Sequence, residues 1–317
     1  MRFAWVGSHR EGLAAFEALL HARAPFVAAV SLTPEAAATR SAAADYGPLC
    51  QRYGLPLHRV SDINAQDSVN LLRSLDLDVL FVIGWSQILR KDALATARIG
   101  VVGAHASLLP ANRGSAPINW ALIRGERETG NSLLWLAASV DAGAVIDQTS
   151  FGITPYDTCT TLYDRVAITN RDMLVRLSRR LLAGERPGVP QLVSTDPVLP
   201  RRRPADGLLD WHGPSTRVYD FVRALTRPYP GAFGRLEGRR IKVWQAALPP
   251  LGEATVAEPG TCLGPVVSPE DNACGQLVAC GQGAVVLLEV EGEDGRVLRG
   301  RALSEEPWRG RTWTVAE

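Results

Sequence analysis

Apolar positions along the first part of the chain follow two rhythms. Short runs rich in β-branched and aromatic residues, "RFAWVG" (2–7), "FVAAVSLT" (26–33) and "DVLFVIG" (78–84), read as buried strands. Between them apolar residues recur at helical spacing, as in "EGLAAFEALLHAR" (11–23) and the Ala-rich stretch before Gly54. "RIGVVGAHASLLP" adds a strand that leaves into a loop at His105. "NWALIRGERETG" (119–130) predicts a helix closed by Gly130, "NSLLWLAAS" (131–139) a strand, and "VDAGAVIDQ" (140–148) a turn. A long amphipathic helix is expected over 160–183. Strands alternating with helices predict an α/β domain with a parallel-rich sheet covered on both faces.

The rhythm changes near residue 190. "VPQLVSTDPVLPRRRPADG" (189–207) is rich in Pro and Arg and has little periodicity. It reads as a linker. "STRVYDFVRALTR" (215–227) then looks helical and "PYPG" (228–231) a turn. "RRIKVWQAAL", "TCLGPVVS" and "QLVACGQGAVVLLEVEG" are short strands separated by Gly and Pro, which suggests a small antiparallel barrel. The division is therefore 1–190, a linker over 191–205, and 206–317.

Composition narrows the functional classes. A length of 317 residues suits two domains, and a net charge of +1 provides no large field for nucleic acid. No run of about 18 uncharged apolar residues occurs, so no membrane span is expected. The N-terminus lacks an apolar segment with a small-residue cleavage site, which points to the cytoplasm. The five cysteines are scattered without Cys-x-x-Cys spacing, so neither a zinc site nor a disulfide framework is read, and burial is their ordinary fate.

The chemistry-bearing stretch is "VVGAHASLLPANRGSAP" (101–117). His105 falls where a strand becomes a loop, the place where open α/β sheets bind ligands. Asp141 lies in a second loop, and a carboxylate beside a histidine orients the ring and stabilises its protonated form. Each also has an ordinary structural reading: a hydrogen-bonded histidine at a strand end, and an Asp capping its own turn. No Gly-x-x-x-x-Gly-Lys-Ser/Thr occurs, and Gly7 and Gly12 lack dinucleotide-binding spacing.

Four segments carry a resemblance: "HASLLPANRGSAPINWALIRGERETG" (105–130), "VDAGAVIDQ" (140–148), "DGLLDWHGPSTRVYDFVRALTRPYPGAF" (206–233) and "LVACGQGAVVLLEV" (277–290). Through them the chain resembles the formyltransferases that use 10-formyltetrahydrofolate, in particular their amino-sugar and methionyl-tRNA branches. The resemblance implies a Rossmann-like N-terminal domain, a small OB-like β-barrel C-terminal domain, and transfer of a one-carbon unit from folate to an amine. It also implies that His105 and Asp141 are catalytic and that "GWSQIL" (84–89) is the folate-pocket loop. Trp85, Gln87, Ile88 and Leu89 would then bind the cofactor from one side, and Ser139 and Val140 from the other. Ser107 and Arg113 are expected on the acceptor side, with Arg113 facing an anionic group or forming a loop salt bridge.

The chain departs from this family at one position. The signature reads Asn-x-His-x-Ser-Leu-Leu-Pro, and Gly103 stands where the asparagine belongs. The resemblance assigns that amide to the formyl oxygen, and loss of such a donor typically costs about 10²–10³ in rate. Three consequences are open: a water donates instead, the transferred group is formimidoyl or another one-carbon unit, or the site binds folate without turnover. A tRNA acceptor needs a basic track. Arg201–Arg203 and the Arg239, Arg240, Lys242 group could form one, but the near-neutral charge and the amino-sugar likeness favour a small amine, such as an amino sugar or a natural-product precursor. A homodimer is compatible with these features.

Overall fold

The computed structural model describes residues 1–250 and 257–314. The chain divides into two compact units. Met1–Ile118, Glu128–Gly152 and Thr161–Arg201 make the first; Asn119–Arg127, Ile153–Thr160 and Arg202–Glu317 make the second.

The first unit is built on β1 (Phe3–Val6), β2 (Phe26–Leu32), β3 (Leu57–Val60), β4 (Leu77–Val82), β5 (Ala97–His105), β6 (Glu128–Trp135) and β7 (Val145–Gly152). They form one sheet in the order β3-β2-β1-β4-β5-β6-β7. The first five strands are parallel; β5–β6 and β6–β7 are antiparallel. The sheet is thus mixed, because β6 and β7 form a hairpin-like pair that needs no crossover helix. Successive residues of each strand face opposite sides, so Phe3, Trp5, Phe81 and Val102 enter one core and Ala4, Val6, Leu80 and Val101 the other. The first core is dominated by aromatic rings, with Trp5 stacked on Phe16 at 4.7 Å. Met173, Leu174, Leu177 and Leu181 of the helix Cys159–Leu182 complete it.

The expectation of a helix closed by Gly130 is corrected. The helix covers Pro117–Ile123, and the chain turns away two residues later at Gly125, whose φ of +68° is costly for residues with a Cβ. Gly130 lies within β6, opposite Ser150 of β7.

The second unit carries β8 (Ala232–Leu236), β9 (Arg239–Ala247), β10 (Cys262–Val266), β11 (Gly275–Ala279), β12 (Ala284–Gly292), β13 (Val297–Arg299) and β14 (Trp313–Thr314). They form an antiparallel sheet in the order β10-β11-β12-β9-β8-β14, with β13 on β12. The helix Ser215–Leu225 supplies buried Val218, Val222 and Leu225. All five cysteines are free and buried. No helix among the described residues is long and apolar enough to cross a membrane.

Candidate functional site

The strand order places a topological switch point between β1 and β4. Connections from β1 run outward through β2 to β3, and the chain then returns to the other side of β1. Loops at the C-terminal ends of strands beside such a point form the ligand crevice of open α/β sheets. The segment 84–89 follows β4, and His105 closes the adjacent β5.

His105 is 7% exposed and sits between two acceptors. Its Nε2 lies 2.8 Å from the Asn112 carbonyl oxygen, and its Nδ1 lies 3.4 Å from Asp141 Oδ2. A neutral ring that donates Nε2–H to Asn112 keeps its lone pair on Nδ1, facing the carboxylate. A proton taken up at Nδ1 therefore arrives beside an anion. Asp141 occupies the loop between β6 and β7 with φ +50°, a left-handed conformation tolerated by Asp and Asn. Its Oδ2 also accepts the Gly114 N–H at 2.9 Å. Gln191 pins the turn from behind, its Nε2 donating at 2.7 Å to the carbonyls of Asp141 and Gly143.

The loop after His105 is held from below. Ser132, opposite His105 in β6, donates from Oγ to the Ser107 carbonyl at 2.6 Å. The same hydroxyl accepts from Leu109 N–H and from Gln148 Nε2, and Gln148 also donates to the Leu109 carbonyl. Ser107 spends its own hydroxyl on the Ala111 carbonyl at 2.7 Å. Arg113 donates from Nη2 to the Ser194 carbonyl, while its buried Nε has no partner. Leu199 exchanges backbone hydrogen bonds with Arg113 and Ser115.

In the segment after β4, Gln87 is tied away from the crevice: Oε1 accepts from Ile63 N–H and Nε2 donates to the Ser61 carbonyl. Ile88 is exposed, with its carbonyl accepting from Asn64 Nδ2. Leu89 is buried yet makes no backbone hydrogen bond to another described residue. Trp85 packs against the core on the His105 side of the sheet, and its indole N–H is buried without a partner. Across the β6–β7 loop, Ser139 and Val140 are exposed.

Gly103 lies two residues before His105 on the same face of β5. A Cβ built there would collide with Leu136 Cδ2 and lie 2.9 Å from its Cγ. Leu136 thus fills the place of a side chain at 103. Sequence reading missed Leu136, Ser132, Gln148 and Gln191, because each acts through a residue distant in the chain. Only the unusual Gly103 signalled that something else must fill the space.

The first unit is thus a doubly wound sheet with a paired histidine and carboxylate at the edge where such sheets bind ligands, and an antiparallel second unit follows it in the chain. Residues 14–177, more than half of the chain, match the formyl transferase family, and residues 202–306 match the formyl transferase C-terminal domain. The chain belongs to that family. Among solved structures, a multiply substituted variant of HypX from Aquifex aeolicus is similar at 18% identity, with a TM-score of 0.65 over 96% of this chain and 49% of that one. HypX from the same organism in complex with tetrahydrofolic acid gives 17% identity and a TM-score of 0.64, over 100% of this chain and 51% of that one. The N-formyltransferase from Helicobacter canadensis, in complex with folinic acid and dTDP-3-aminofucose, gives 12% identity and a TM-score of 0.63, over 90% and 98%. The chain spans about half the length of the HypX proteins it matches. These likenesses are likenesses of fold.

Proposed function

We propose that this chain transfers a formyl-type one-carbon group from a 10-formyltetrahydrofolate to the amine of a small-molecule acceptor. The observation that carries the reading is the convergence of His105 Nδ1 and Asp141 Oδ2 to 3.4 Å at the end of β5, in a formyl transferase. A pterin presents donors and acceptors along one edge. The unpartnered Trp85 indole N–H and the unpaired backbone of buried Leu89 are protein groups of the kind such an edge would satisfy. That the HypX and Helicobacter structures hold folates supports the same choice. Gln87 would contribute only its backbone, since its side chain is engaged elsewhere.

When bound, the folate would supply the carbon already activated for transfer. His105, oriented by its Nε2–H to the Asn112 carbonyl, would take the proton of the attacking amine at Nδ1, and Asp141 would stabilise the protonated ring that results. Gly114 N–H and Gln191 would fix Asp141, and Ser132 with Gln148 would fix the loop that carries His105 onward. Arg113, with its unpaired Nε, would meet an anionic part of the acceptor. The dTDP-amino sugar in the Helicobacter structure makes nucleotide-linked amino sugars the first acceptors to try.

The test is a thermal-shift titration with 5-formyltetrahydrofolate, followed by incubation with 10-formyltetrahydrofolate and a panel of amines, read by product mass. A raised Tm and a formylated product lost in His105→Ala are expected. A mass corresponding to formimidoyl would correct the transferred group. No folate-dependent shift would overturn the reading.

A further inference from the structure

We infer that Leu136 keeps water away from the position beside His105 and so commits the site to transfer instead of hydrolysis. The inference rests on the folate reading above. Gly103 is buried, and the space over it is the next position along β5 on the His105 face. Three side-chain atoms of Leu136 occupy that space, at or within 3.3 Å of where a Cβ on Gly103 would stand. The Leu136 backbone N–H donates to the Val101 carbonyl at 2.7 Å, which anchors the side chain against the same strand. Leu136 and Trp85 both pack on the core of this face. The wall is therefore apolar, and nothing at 103 itself can hold a water by a side chain.

Such a wall matters because a base that can take the proton of an attacking amine can also take that of an attacking water. In that side reaction the water oxygen bonds to the one-carbon unit as the carbon–nitrogen bond to the donor breaks. His105 Nδ1 takes one water proton and returns it to the departing nitrogen, and formic acid leaves and gives its remaining proton to solvent as formate. Exclusion of water is how transferases suppress this loss. A leucine side chain in van der Waals contact leaves no room for a water, whereas its truncation opens space on the His105 face of β5 of about the size one water needs.

The experiment measures formate release from 10-formyltetrahydrofolate without acceptor, in wild type, Leu136→Ala, Leu136→Val and the double variant Gly103→Ala/Leu136→Ala. Release is expected to rise about tenfold or more in Leu136→Ala, less in Leu136→Val, and to fall back when the Gly103→Ala methyl refills the space. Leu136→Val keeps the test alive if the alanine variant fails to fold. Melting temperatures give an independent readout: Gly103→Ala should destabilise the wild type but not the Leu136→Ala background, a non-additive cycle. Unchanged formate release in folded Leu136 variants of an enzyme that still binds folate overturns the inference alone. Additive melting shifts overturn it through its packing. A wild type whose Tm does not respond to folate overturns both the inference and the reading beneath it, even where the melting cycle is non-additive.

Discussion

Replacing Asp141 by Asn removes one charge and almost nothing else. The residue keeps its size, and Asn tolerates the φ of +50° as well as Asp does. The backbone clamp from Gln191 acts on carbonyls and is unaffected. Two contacts change. The Gly114 N–H, 2.9 Å from Oδ2, loses a charged acceptor and keeps a neutral one. That difference is about 1 kcal/mol, which corresponds to a Tm shift of about 2–4 °C for a chain of this class. The second contact is at the same Oδ2 position, 3.4 Å from Nδ1: with a neutral amide oxygen kept there for Gly114, the ring loses the anion that favours its protonated form. General-base assistance is then lost, and with it about 10²–10⁴ in rate, or roughly 2.7–5.5 kcal/mol of barrier. The assay compares tetrahydrofolate release at saturating folate and acceptor with the melting temperature of the same preparation. A large loss of kcat with a small change in Tm is expected. Activity within about tenfold of wild type would refute the assignment of Asp141, and a collapse of Tm in proportion to activity would make its role structural.

Three further outcomes follow from the same coordinates. Ser132→Ala removes three hydrogen bonds under the His105 loop, two of them buried, and should cost about 3 kcal/mol in urea unfolding; stability equal to wild type would show that the loop is held by other contacts. Burial pushes the Cys50 and Cys262 thiols up to about 11 and Cys280 up to about 12, so these should resist a thiol reagent at neutral pH until the protein unfolds, and rapid labelling of the native protein would contradict their placement. In the second unit, the ammonium of Lys242, then the Trp244 N–H and the Arg227 charge, holds the Glu291 carboxyl below its ordinary value of 4.5. Its contribution is complete above that pH and is lost as the pH falls through the folded-state value, so the stability gap between wild type and Glu291→Gln should close in acid and persist at neutral pH; a gap independent of pH would remove the charge from the explanation.

Much of the first sheet was legible from local pattern. The runs that became β1, β2, β4 and β5 are apolar and β-branched or aromatic, and such runs have few alternatives to a buried strand. The direction of β6 was not legible, because side-chain alternation is the same in a parallel and an antiparallel strand. The end of the helix at Ile123 was misread for a related reason: Gly125 and Gly130 are both plausible stops, and only the pairing of Glu128 and Thr129 with Gly152 and Phe151 decides between them. Residues 191–199 looked like connecting chain by composition. In the structure Gln191 holds the Asp141 turn and Leu199 holds Arg113 and Ser115, contacts that composition does not encode.

By itself the sequence determined the alternating α/β pattern, the strand–loop junction at His105, and the absence of a side chain at 103. These are properties of single positions and short windows, set by propensity and covalent chemistry. The tertiary structure alone decided that an Asp 36 residues away in the chain meets that histidine, and that the gap at Gly103 is filled by a leucine from the loop after β6 instead of being left to solvent. Both depend on the register of β5 against β6, and register emerges from the packing of a whole sheet, where each strand is placed by its neighbours and not by its own residues.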